Sequence, residues 1–180
     1  MVNISLPARL WKIFVFLTLA SLIAFSQLLP LSRPAGALPG PELLFLMAAA
    51  WTMRRPRLIP MWVFLLAFFA ADILFVRPLG LHTALALIAI DALRWRAVAA
   101  PRMPFLREWL TVAAVVATLT LAELVILTIF FVPQPALGLT LIRLIFTVLV
   151  YPLVVLLLAS PFGLNRPKSN DKDLIVGRTA

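Results

Sequence analysis

Six apolar runs, at about residues 10–29, 41–53, 58–76, 79–93, 110–132 and 139–159, take up most of this chain. Each is too long and too apolar to be an open strand in lipid, where a strand edge would leave backbone groups without partners. The sequence therefore predicts an all-α integral membrane protein, a bundle of six transmembrane helices forming one domain over residues 1–159. A polar tail follows at 160–180. The 63% hydrophobic and 13% charged content agrees, since a soluble surface needs more charge. Of the 15 prolines, only Pro152 lies deep in a run, where it predicts a kink; the others fall in loops, tails or helix ends.

The basic residues set the expected orientation. With six crossings and the N-terminus inside, Arg9, Lys12, Arg54, Arg55, Arg57, Arg94, Arg96, Arg102, Arg107, Arg166, Lys168, Lys172 and Arg178 are cytoplasmic. That leaves Arg33, Arg77 and Arg143 for the outer side. This is the bias that orients membrane proteins, and it predicts both termini in the cytoplasm. The second run is short, about 20 Å against a hydrocarbon core of about 30 Å. Removing it as a crossing would spoil the bias, so it is expected to span. The first run exceeds the usual length of about 7–15 residues for a cleaved signal segment, and a retained helix is expected despite Ala35-Gly36-Ala37.

The net charge of +9 does not point to nucleic acid, because the bases lie in short clusters between apolar runs. Arg54, Arg55, Arg57, Arg94 and Arg96 are expected at the inner interface, beside anionic lipid headgroups. Trp11, Trp51, Trp95 and Trp109 read as anchors at the same depth, with Trp62 one turn further in. The chain has no cysteine and one histidine, which leaves no thiolate nucleophile and no histidine cluster for a metal. Asp72 and Asp91 fall in opposite halves of the bilayer and cannot form an aspartyl dyad. Neither enzyme activity nor a cofactor is expected.

The charges inside the apolar runs carry the functional question, because such groups are costly in lipid and face a bundle interior or a partner. Glu42, Asp72, Arg77, His82, Glu123 and Arg143 all fall in the outer half. Arg77-Pro78-Leu79-Gly80 is expected as a tight turn that brings Asp72 and His82 to neighbouring helix ends. Two readings stand. One is structural: Asp72 pairs with Arg77 or Arg143, Glu123 with Arg143, and Asp91 with Arg94, while Glu42 meets a helix dipole and His82 caps a helix or faces water. The other is an outward-facing polar cavity. The tryptophans, gathered at the inner side, weigh against an aromatic-rich cavity outside.

The order of these features resembles MreD, the family of small rod shape-determining membrane proteins of bacteria. The likeness covers about residues 29–159. It rests on Pro41-Glu42-Leu43-Leu44 opening a short second helix, the basic Arg54-Arg55-Pro56-Arg57 loop, Asp72-Ile73-Leu74 closing the third helix, and Arg77-Pro78-Leu79-Gly80-Leu81 leading into the fourth. Family members often carry a glycine upstream of that aspartate; here the stretch is Ala67-Phe68-Phe69-Ala70-Ala71. The resemblance implies a non-enzymatic part of the machinery for lateral peptidoglycan synthesis in the bacterial inner membrane. Its implied partners are MreC and, through it, MreB filaments, RodA and the transpeptidase that works with RodA. It also implies a fold similar to the substrate-binding subunits of energy-coupling-factor transporters. It supplies no catalytic residues; Asp72 and the Pro78-Leu79-Gly80 turn are expected as structural or partner-contacting elements. The competing expectation is a small-molecule-binding subunit of a transporter.

Overall fold

The computed structural model describes residues 6–28, 40–56, 58–100, 103–134 and 136–159. Arg33, the Ala35-Gly36-Ala37 triplet, Arg57, Arg102 and the 160–180 tail lie outside the described residues. The described residues form six helices: α1 Leu6–Leu28, α2 Leu43–Arg54, α3 Met61–Leu74, α4 Leu81–Ala99, α5 Phe105–Ile129 and α6 Leu137–Ala159. Among the described residues three stretches, Arg9–Leu28, Phe105–Ile129 and Leu137–Leu158, are long and apolar enough to cross a membrane, and they mark the chain as a membrane protein.

Two helix bounds differ from the apolar runs by five residues or more. α4 continues past position 93 through Arg94-Trp95-Arg96, and the N–H of Ala100 closes on the Arg96 carbonyl. Charge ends an apolar run but not a helix, and arginine and alanine are good helix formers. α5 begins five residues before the expected start, directly after Pro104, whose backbone is extended. Pro60 holds the same position before α3. At a helix start the proline's missing N–H has no intrahelical acceptor to lose.

The core is built around α2. Leu44 through Met53 are all buried, and α2 packs against α4, α6 and α1. The small side chains of Ala48, Ala49 and Ala50, each fully buried, let neighbours approach closely. Twelve residues span only about 18 Å. That shortness carries little penalty, because protein rather than lipid surrounds the helix. Large apolar side chains instead point outward from α1, α5 and α6, among them Phe14, Leu22, Leu121, Leu141, Leu149 and Leu156.

Two tryptophans depart from the interfacial reading. Trp51 is 1% exposed and meets the Phe16 ring edge-on at 5.6 Å, so it is a core residue. Phe16 also meets Phe64 edge-on at 5.2 Å, which fastens α1 to α3. Trp109 donates its indole N–H to the Val148 carbonyl at 2.9 Å. Val148 lies four residues before Pro152, and Pro152 has no N–H to return to it. Trp109 thus satisfies the acceptor that the proline orphans inside α6, as an apolar environment requires. Trp11, Trp62 and Trp95 are exposed.

Candidate functional site

Among the described residues the buried polar groups fall into two clusters, one at each end of α2. The first gathers at the N-terminal end of α2, where α3 and α5 end and α4 and α6 begin. Asp72, wholly buried near the end of α3, accepts the backbone N–H groups of Gly80 and Thr83 at 3.2 and 3.1 Å. It also accepts the Thr83 hydroxyl at 2.7 Å. Gly80 precedes α4 with φ of 83°, a left-handed conformation in which a side chain is strained. Glycine cannot cap the helix itself, so Asp72 supplies the capping oxygen from the preceding helix. The pairing of Asp72 with Arg77 or Arg143 expected from the sequence does not form. Arg77 instead donates its backbone N–H to the Asp72 carbonyl at 3.1 Å, and Pro78 accepts Leu81 N–H at 3.2 Å.

Glu42 is the hub of the same end. It stands at the N-cap of α2 but makes no side-chain cap bond. Its Oε1 accepts Nη1 of Arg77 at 3.2 Å and Nη2 of Arg143. Its Oε2 lies 3.8 Å from Nε2 of His82. The other nitrogen of His82 lies 3.6 Å from Oε2 of Glu123. Glu123 therefore faces His82 rather than Arg143. His82, 4% exposed, sits between two carboxylates instead of facing water. Thr147 completes the set: its hydroxyl accepts the Glu42 N–H at 3.2 Å and donates to the Arg143 carbonyl at 2.7 Å.

A cavity of about 540 Å³ opens beside this hub, lined by Glu42, Arg77, His82 and Arg143 and walled by Phe45, Phe68 and Phe75. The wall is aromatic, contrary to the reading from the tryptophans, because phenylalanines supply it. The Phe68 ring also meets His82 at 6.3 Å between centroids.

The second cluster lies at the C-terminal end of α2. Glu108, in the first turn of α5, is wholly buried and accepts the Tyr151 hydroxyl at 2.7 Å. Arg54 Nε lies 3.5 Å from the same carboxylate oxygen, and the Arg54 side chain is 10% exposed. Arg94 donates to the Ile59 carbonyl at 2.9 Å and lies 6.0 Å over the Phe64 ring. Arg54 and Arg94 are thus turned into the protein, not toward lipid headgroups. Arg55 is half-buried, and Arg96 is exposed. Asp91 is exposed and makes no ion pair with Arg94 among the described residues.

The alternating direction of successive helices brings Glu42, Asp72, Arg77, Pro78, Gly80, His82, Glu123 and Arg143 to one end of the bundle. Their pairing differs from the expected one. Glu108, Tyr151, Thr83 and Thr147 are absent from the sequence reading. A signal for Glu108 exists: it is the one acid in a basic stretch, four residues after Pro104, where a helix dipole favours an anion. No protein-family model, curated protein or solved structure matches the chain.

Proposed function

We propose that this chain is a multi-pass scaffold of the MreD type. In this reading all six helices cross the bacterial inner membrane with both termini in the cytoplasm, and α2 crosses inside a jacket of its neighbours. The protein binds MreC and, with it, RodA and its transpeptidase partner, and through them it is coupled to MreB. The observation that supports this most is the Asp72 clasp. The segment behind the resemblance, Asp72 to Leu81, is held by three hydrogen bonds to one buried carboxylate oxygen. It offers Val76 and Leu79, 92% and 70% exposed, as apolar tips. A rigid turn carrying exposed apolar side chains is suited to packing against a partner's helix.

Purification from native membranes in mild detergent, with mass spectrometry of co-eluting proteins, tests the proposal. Recovery of MreC with RodA and its transpeptidase supports it. The second reading, a small-molecule-binding transporter subunit, is favoured by the cavity of about 540 Å³ beside Glu42, Arg77 and Arg143. Transporter ATPases or a retained vitamin, without wall-synthesis proteins, would overturn the scaffold in its favour. Asp72→Ala and Arg143→Ala variants that insert normally and keep both MreC and rod shape would remove the polar end from the scaffold role.

A further inference from the structure

We infer that the groove between α4 and α5 is a binding site for one anionic phospholipid. The groove has a volume of about 490 Å³ and is lined by Ala92, Leu110, Ala114 and Val115, with Trp95 and Arg96 at its rim. α4 ends and α5 begins at the same end of the bundle, so Arg96, in the last turn of α4, and Arg107, in the first turn of α5, share that end. Arg107 precedes the groove residues Leu110 and Thr111 by about one helical turn. The site is independent of the scaffold proposal and needs only a membrane protein.

Three observations select a lipid as occupant. Arg96 and Arg107 are both exposed, and no ion pair among the described residues engages either. Arg54, Arg77 and Arg143 are each paired with a carboxylate, and Arg94 is hydrogen-bonded to Ile59. Arg96, in the groove lining, and Arg107, one helical turn from it, therefore offer positive charge that a phosphate complements. Next, the walls are mostly apolar: Ala92 and Ala114 leave a channel for an acyl chain beside Leu110 and Val115, the Thr111 hydroxyl is bonded to the Arg107 carbonyl, and no carboxylate among the described residues lines it. Asp91, exposed on α4, lies outside the lining. Finally, Trp95 is 71% exposed beside Arg96, and its indole is suited to the headgroup level of a bilayer. The phosphate is held between Arg96 and Arg107, and the chain runs past Ala92 and Ala114.

Native mass spectrometry of the whole protein, titrated with phosphatidylglycerol and with phosphatidylcholine, tests the site. The wild-type chain is expected to retain one phosphatidylglycerol in preference to phosphatidylcholine. An Arg96→Gln, Arg107→Gln variant should retain it about tenfold less tightly. Ala114→Trp, which fills the channel and keeps both arginines, should weaken it similarly. Arg9→Gln, removing an exposed arginine on α1, should leave retention unchanged. Equal retention of the two lipids by the wild-type chain would overturn the site without reference to any variant. Loss on removing the arginines with none on filling the channel would mark general surface attraction and also overturn it. So would a photocrosslinker at position 114 that captures a protein helix instead of lipid.

Discussion

The two ends of α2 carry the same chemistry, a carboxylate shared with arginine, in different surroundings. At the C-terminal end Glu108 is wholly buried, its arginine side chain is 10% exposed, and a tyrosine hydroxyl completes the set. At the N-terminal end the Glu42 side chain is 14% exposed, and its arginines are 23% and 30% exposed. A cavity of about 540 Å³ borders that end. A pair sealed from water is destabilised strongly when one partner goes, because the other charge has nowhere to turn. A pair bordering a cavity can rehydrate, so its loss is milder. The closed end therefore acts as a lock between α2, α5 and α6. The open end holds its helices while leaving polar groups accessible to something from outside.

Four substitutions break or sharpen this contrast. Glu108→Ala removes the buried carboxylate that Arg54 and the Tyr151 hydroxyl share, and should cost about 3–5 kcal/mol of unfolding stability in detergent. Asp72→Ala strips Gly80, Thr83 N–H and Thr83 Oγ1 of their acceptor, and should cost about 2–4 kcal/mol by the same measurement. Asp72→Asn, which keeps an oxygen, should recover part of that loss. Tyr151→Phe removes one hydroxyl from the closed end and should cost about 1–2 kcal/mol, a partial copy of the Glu108 effect.

The smallest expected change is a gain. Val76, with φ of 51°, and Phe131, with φ of 52°, follow α3 and α5 at the open end. In both turns the next residue's N–H reaches back to the carbonyl five positions earlier: Arg77 to Asp72, and Val132 to Leu127. That is the helix ending in which glycine is usual at the left-handed position. Val76→Gly should therefore stabilise the isolated protein by about 1 kcal/mol while weakening capture of any partner that packs on the tip. Thermal unfolding and co-purification of the same variant separate the two effects.

Much of the open end was legible in the sequence, because helices that alternate in direction bring Glu42, Asp72, His82, Glu123 and Arg143 to one level. The pairing was not. Asp72 is claimed by Gly80 and Thr83, and backbone N–H groups freed by a helix start carry no mark in the sequence. Glu108 was missed for a different reason. The apolar run begins at about position 110, whereas the helix begins at Phe105 and carries its acid into the core. The burial of α2 was hidden as well, since a run facing lipid and a run facing protein are equally apolar. Only the alanines at 48–50 hint at close packing. Arg54 and Arg94 show the limit of reading basic residues as interfacial, because the same residues are needed to neutralise a carboxylate or carbonyl inside.

The contrast between the ends is tested most directly by measuring Glu42→Ala and Glu108→Ala side by side for unfolding stability in one detergent. A loss of about 1–2 kcal/mol is expected for Glu42→Ala, with Arg77 and Arg143 turning to water, against the larger loss for Glu108→Ala. Equal losses, or a larger one for Glu42→Ala, would contradict the reading of one end as sealed and the other as open.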